Sequence, residues 1–239
     1  MILHTEIYGK GEPLLFLHSG GETSQSDYQV QKEYFSNSYQ VIMPDLSGHG
    51  KSAQNNYESI DELIRIGTKD LYETIKHYKL EKVHIVGSSA GSFLAIHFTN
   101  LYPELVKSLC ITGVQPIKTE NWDELEEDSR EQKKSLLGDP EVDAFFQKLH
   151  PMNDWKKFVT LSLEEGWYPF ELIEELKHTK KIPTLVAAGE KVLPEIKGIV
   201  HYLEKYPSVH VAVIPFAGHL VHQEQPQLFN QILEQFLRA

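Results

Sequence analysis

Apolar and polar positions along the chain follow two rhythms. Short apolar runs rich in β-branched residues recur at Ile2–Tyr8, Pro13–His18, Tyr39–Pro44, Lys82–Gly87, Val106–Thr112, Pro183–Gly189 and Val209–Phe216. Between them lie longer stretches whose apolar residues repeat every three or four positions, at Ser24–Phe35, Ser59–Tyr78, Ser89–Tyr102, Pro194–Tyr206 and Pro226–Leu237. Continuous apolar runs suit strands covered on both faces, and the periodic stretches suit the helices that cover them. The expectation is an α/β chain with a mostly parallel sheet of about seven strands and helices on both sides. Gly9, Gly11 and Pro13 punctuate the first two runs as a hairpin-like turn.

The alternation stops between Thr112 and Ile182, where helix starts such as Asp139-Pro140 appear without a strand signal. A helical insertion at about 115–181 in a single domain spanning 1–239 accounts for this. It carries Trp122, Phe145, Phe146, Trp155, Phe158, Trp167, Tyr168 and Phe170 among charged residues, so each short helix can turn an aromatic face inward and a charged face outward. Two readings stay open: the aromatics pack the insertion onto the body, or they form the apolar underside of a lid over a substrate pocket.

Composition narrows the partners. With 239 residues, 41% of them apolar, the chain can bury one sizeable core. A formal net charge of −11 without a Lys/Arg cluster argues against nucleic acid and against an anionic membrane surface, and favours small neutral or apolar substrates. No stretch is long and apolar enough to span a bilayer, and Met1–Lys10 lacks the pattern of a secretory signal, so the expected location is cytoplasmic. Cys110 is the only cysteine, which excludes an intrachain disulfide, and its apolar neighbours suggest a buried strand position. Nothing in the pattern fixes the oligomeric state.

The chemistry concentrates at three places. Gly87-Ser88-Ser89-Ala90-Gly91 follows an apolar strand and opens a helix, the context a Gly-x-Ser-x-Gly nucleophile elbow requires. Ser89 would be the nucleophile, raised on a strained turn at a helix N-terminus where developing negative charge is favoured. A serine hydroxyl needs a base, and His219, after Gly218 and the last strand, combines a late position with a strand end and a glycine turn; His222 is its nearest rival. Two aligned donors must hold the oxyanion. The backbone N–H of Ala90 would be one, and Gly20, in the loop His18-Ser19-Gly20-Gly21, the other.

Taken together, His18-Ser19-Gly20, the loop Pro44-Asp45-Leu46-Ser47-Gly48-His49-Gly50-Lys51-Ser52, Gly87–Gly91 and Ala217-Gly218-His219 resemble the α/β-hydrolase superfamily, in particular its small serine esterases and lactonases. The resemblance runs nearly end to end. It implies the α/β-hydrolase fold and no cofactor, and no His/Asp/Glu cluster has the spacing of metal ligands. It implies a serine hydrolase cleaving a carboxylic ester, thioester or lactone through an acyl-serine.

One part of the family pattern is missing. The triad acid of similar proteins is usually an Asp three residues after the glycine closing the penultimate strand, and Val192 stands there. From Ile182 to Gly198 the only carboxylates are Glu190 and Glu195, and the alternative location offers Gly113, Val114 and Gln115. Glu190 reaching His219 from a remodelled loop, a Ser89–His219 dyad, and a more distant carboxylate are the three readings. Val192 also motivates a second function, a catalytically weakened protein that binds or senses a small ligand.

Overall fold

A computed structural model describes residues 1–239. Seven strands form one sheet: β1 (Thr5–Tyr8), β2 (Glu12–Leu17), β3 (Tyr39–Pro44), β4 (Val83–Ser88), β5 (Val106–Thr112), β6 (Thr184–Gly189) and β7 (His210–Ile214). Their order is β1-β3-β2-β4-β5-β6-β7, and only β1 runs antiparallel, pairing Thr5 with Pro44. Helices α1 (Gln29–Phe35), α2 (Ile60–His77), α3 (Ala90–Leu101), α8 (Leu193–Lys205), α9 (Val221–Glu224) and α10 (Pro226–Arg238) connect or follow the strands. Between β5 and β6 lie α4 (Trp122–Leu137), α5 (Pro140–Leu149), α6 (Trp155–Leu161) and α7 (Phe170–Ile173).

Strand alternation sorts the core into two layers. Leu15, Leu17, Ile85, Ile111 and Val186 point to one face, against Leu71 and Ile75 of α2, Phe98 of α3 and Tyr202 of α8. Leu14, Phe16, Val86, Cys110 and Leu185 point to the other, against Tyr28, Phe35 of α1 and Phe229 and Leu233 of α10. Every residue of β4 and of β6 is buried, as strands covered from both sides must be. Each large apolar side chain removed from water here is worth about 1.5–3 kcal/mol. Burial pushes the Cys110 thiol up to about 12, leaving it an inert core residue.

Helix starts follow local chemistry. The Ser59 side chain accepts from the Glu62 N–H at 3.1 Å while the Glu62 carboxylate accepts from the Glu58 N–H at 2.7 Å, closing the first turn of α2. The expected helix from Ser24 begins only at Gln29, because Thr23–Asp27 forms turns whose side chains serve other loops: Ser24 donates to Asp45, and Asp27 accepts from the Ser19 N–H. The first strand starts at Thr5 rather than Ile2, and the last ends at Ile214, before Phe216 turns the chain at φ 62°. No helix is long and apolar enough to cross a membrane.

Candidate active site

At the end of the central strand β4 the chain turns sharply into α3. Ser89 occupies the turn with φ 52° and ψ −117°, a conformation that costs a non-glycine residue about 1–3 kcal/mol and persists only where the surroundings enforce it. They do so by hydrogen bonds: the Ser89 N–H donates to the Thr112 carbonyl at 2.9 Å, and the Ser92 hydroxyl donates to the same oxygen at 2.7 Å while accepting from the Thr112 N–H at 3.1 Å. A Cβ on Gly91 would lie 2.1 Å from the Leu17 carbonyl oxygen, so only glycine lets α3 settle against β2. Ala90 is the first residue of α3, where backbone N–H groups have no partner inside the helix.

His219 arrives from the opposite side, in the loop after β7. Glu224 accepts from the Gly218 N–H at 2.8 Å, which ties the loop to α9. The imidazole lies beside Gly113, where a Cβ would stand 2.9 Å from His219 Cε1 and 3.2 Å from the Ser89 nitrogen. Gly113, at φ 67°, thus acts as the spacer that lets the imidazole approach the elbow.

The acid is Glu195. Its Oε1 lies 2.5 Å from His219 Nδ1, and its side chain is only 6% exposed. It sits in the first turn of α8, which begins at Leu193 followed by Pro194, three residues beyond the position where the family pattern expects Asp. Val192 and Glu195 both line the cavity described below, and the Glu195 carboxylate reaches the ring from the first turn of the helix. Glu190, the loop candidate, is exposed and does not line the cavity described below. Desolvation by the surrounding protein disfavours the His219 imidazolium, but the hydrogen bond and charge of Glu195, with the charge of Glu224, outweigh it and hold its pKa above the ordinary 6.5, although the side chain itself is 47% exposed.

The loop His18–Gly21 is pinned from several directions. His18 Nδ1–H donates to the Ser19 carbonyl at 2.8 Å and its Nε2 accepts from the Leu46 N–H at 2.9 Å, partners that fit only the neutral ring, and burial pushes its pKa down accordingly. Ser19 donates its N–H to Asp27 Oδ2 at 2.9 Å. The other Asp27 oxygen stands 2.5 Å from His222 Nε2, and both side chains are wholly buried. His222, the rival base, is therefore a structural partner away from the cavity. The Asp27–His222 contact joins the loop of Gly20 to the segment carrying His219. From the insertion, His150 donates Nε2–H to the Gly21 carbonyl at 3.0 Å and accepts from the Gly50 N–H at 2.8 Å. A Cβ on Gly20 would be 3.5 Å from that of Ala90, so the two expected oxyanion donors are neighbours.

A cavity of about 500 Å³ separates the sheet from the insertion, and Gly20, Ser89, Ala90, Glu195 and His219 all line it. The insertion contributes Trp122, Phe158, Trp167 and Tyr168 to its wall. Phe146 and Trp155 line a smaller cavity of about 190 Å³ that also borders Gly20 and Phe158. Phe170 packs on Trp122 and Tyr168, whereas Phe145 is 60% exposed. The aromatics thus divide between lining the cavity and packing. Lys133 of α4 also lines the cavity, and nothing in the sequence pattern had distinguished it. Burial, partly offset by Glu126, brings its pKa down to about 8.

Comparison with known proteins agrees with this fold. Residues 12–158 match the family model described as alpha/beta hydrolase fold. A protein of Haemophilus influenzae assigned as an esterase/lipase is 26% identical over 246 residues, covering 94% of this chain and 82% of that one. The 2-hydroxy-6-oxo-6-(2'-aminophenyl)hexa-2,4-dienoic acid hydrolase of Metapseudomonas resinovorans is 27% identical, over 96% of this chain and 85% of its own. Among solved structures Est816, described as an N-acyl homoserine lactone degrading enzyme, superposes with a TM-score of 0.74 at 24% identity, over 98% of this chain and 96% of that one, and shares the fold. With its seven-stranded, mostly parallel sheet and a matching family model over more than half its length, the chain belongs to the α/β-hydrolase family.

Proposed function

We propose that the protein is a serine hydrolase that cleaves a carboxylic ester, thioester or lactone through an acyl-Ser89 intermediate, with His219 as base, Glu195 as triad acid and the N–H groups of Gly20 and Ala90 as the oxyanion hole. The observation that carries this reading is the 2.5 Å contact between Glu195 and His219 beside a strained Ser89 in one cavity. A carboxylate on Nδ1 leaves Nε2 as the ring's acceptor and stabilises the imidazolium that forms when the ring takes a proton.

In the first half-reaction His219 Nε2 takes the Ser89 hydroxyl proton as Oγ bonds to the substrate carbonyl carbon. The carbonyl pair moves onto oxygen, where the two N–H groups meet it. As the intermediate collapses, the bond to the leaving alkoxide or thiolate breaks and His219 returns the proton to it. In the second half, His219 deprotonates a water that attacks the acyl carbon, and Ser89 leaves with that proton. The α4–α7 insertion acts as a lid on a single domain, covering one side of a cavity that stays open to solvent beside His219 and Lys191.

Val192 motivates a competing function, a binding or sensing protein; the Glu195 carboxylate on His219 favours the enzyme over it. Hydrolysis of short p-nitrophenyl esters together with labelling of Ser89 by a fluorophosphonate tests the choice. Ser89→Ala should abolish both and leave the thermal midpoint nearly unchanged, since only a hydroxyl is lost. Wild-type protein that is neither active nor labelled, or a Ser89→Ala variant within tenfold of wild type, would sink the proposal.

A further inference from the structure

The inward stripe of α4 is unusual for a helix resting on a protein body. Trp122, Leu125, Glu126, Ser129 and Lys133 all line the large cavity, spaced as one face of a 3.6-residue helix over about 17 Å of its axis. Such a face is normally apolar, yet between Leu125 and Leu136, which lines the smaller cavity, it carries only the polar Glu126, Ser129 and Lys133, and no residue of α4 is fully buried. Packing therefore gives no reason for these three side chains to face inward.

Their partners differ. Glu126 is held by the Trp167 indole N–H at 2.7 Å, with Arg130 Nε at 3.6 Å, so its charge is compensated within the lid. Lys133 has no carboxylate within 4 Å, unlike Lys134 beside it, which pairs with Glu131 at 2.8 Å. Its ammonium lies 3.8 Å from the centre of the Trp167 ring and donates to the Ser162 carbonyl at 3.1 Å. An ammonium has three protons to give, and a cation partly withdrawn from water is costly until an anion or further acceptors meet it. The only other lysine bordering the cavity, Lys191, is 60% exposed and 4.0 Å from Glu224.

We propose that the substrate carries a carboxylate at the end of its acyl chain remote from the scissile carbonyl, and that Lys133 is the residue that selects it. This rests on reading Ser89 as the nucleophile of the same cavity. The cavity then holds an apolar acyl stretch against Trp122, Leu125 and Phe158 and an anionic terminus against the ammonium. Burial lowers the Lys133 pKa by more than the nearby Glu126 raises it, in keeping with an ammonium that has no direct ion pair. The molecule's net charge of −11 does not oppose this, because exposed charges beyond about 8 Å are largely screened whereas a partly buried partner is not.

Kinetics with monomethyl suberate and methyl octanoate, which share an eight-carbon acyl chain and differ in the terminal carboxylate, test the assignment. Wild type should favour the suberate ester at least tenfold in kcat/KM. Lys133→Met should erase that preference, chiefly through a raised KM for the suberate ester, while Lys133→Arg should retain it. A wild type that prefers the octanoate ester, or a Lys133→Met variant impaired equally on both, overturns the assignment. Calorimetric titration of suberate into Ser89→Ala protein separates this from failure of the hydrolase reading, since it needs no turnover. Binding that Lys133→Met abolishes in that background supports the anion site even if no ester is cleaved, and absent or unchanged binding overturns it even if esters are.

Discussion

In the proposed mechanism Glu195, in the first turn of α8, takes the part that a loop Asp has in similar proteins. Glu195→Gln keeps the shape and removes the charge that stabilises the imidazolium. Loss of the triad acid in two unrelated proteases costs about 10⁴-fold in turnover or somewhat more, so a fall in kcat of at least 100-fold is expected here, and a loss under threefold would remove Glu195 from the machinery. The pH profile gives a second readout. Because Glu195 raises the His219 pKa, the neutral base is lost on acidification from a point above 6.5, and Glu195→Gln should move that acidic limb to lower pH. Val192→Asp, which would restore a missing partner in a dyad, is instead expected to leave activity flat or lower it. His219 already has its acid, and a second carboxylate nearby adds repulsion; a tenfold gain would contradict the assignment.

Between elements, the Asp27–His222 pair fastens the loop before α1 to α9. Asp27 accepts from the Ser19 and Tyr28 N–H groups and from Gln223 as well as meeting His222. Burial alone would push its carboxyl up, but His222 and these donors hold it well below the usual carboxylate range. With a depressed folded-state pKa, its contribution to stability is present above the unfolded value near 3.8 and is lost as pH falls below it. Removing one partner of a buried pair costs about 3–5 kcal/mol. At about 2–4 °C per kcal/mol for a chain of this size, His222→Ala should lower the thermal midpoint by roughly 10 °C, measured by circular dichroism at neutral pH. A drop under 2 °C would mean that the contact carries no net weight.

Across the whole molecule the insertion and the sheet share one core. Leu161, Leu172, Ile173 and Leu176 join the same buried cluster as Leu17, Ile85 and Ile111, so the two parts should unfold together. All three tryptophans, Trp122, Trp155 and Trp167, lie in the insertion, so their fluorescence reports that part while far-UV circular dichroism reports the whole. Coincident urea midpoints are expected; an earlier fluorescence transition would show the insertion to be a separate unit. The periodicities that marked seven strands and the flanking helices were legible because apolar spacing at two or 3.6 residues is a local property. So were the Gly-x-Ser-x-Gly pentapeptide, the Gly20 loop and Gly218-His219, whose short-range geometry needs glycine at set positions. Local spacing says nothing of which side chains converge across 24 residues or more. The partnership of Glu195 with His219, the burial of His222 against Asp27, the spacer position of Gly113 and the inward turn of Lys133 all depend on how strands and helices pack. A search for an acid by its distance from a strand-closing glycine stops at Val192, because it counts residues along a loop, whereas the first turn of α8 coils three further residues back onto the same side. Residue type and local period thus determined the fold and the motifs around Ser89 and His219 from sequence alone; only packing decided which carboxylate meets His219, the loop clamp and the charge in the cavity, since those are contacts between segments that no local pattern encodes.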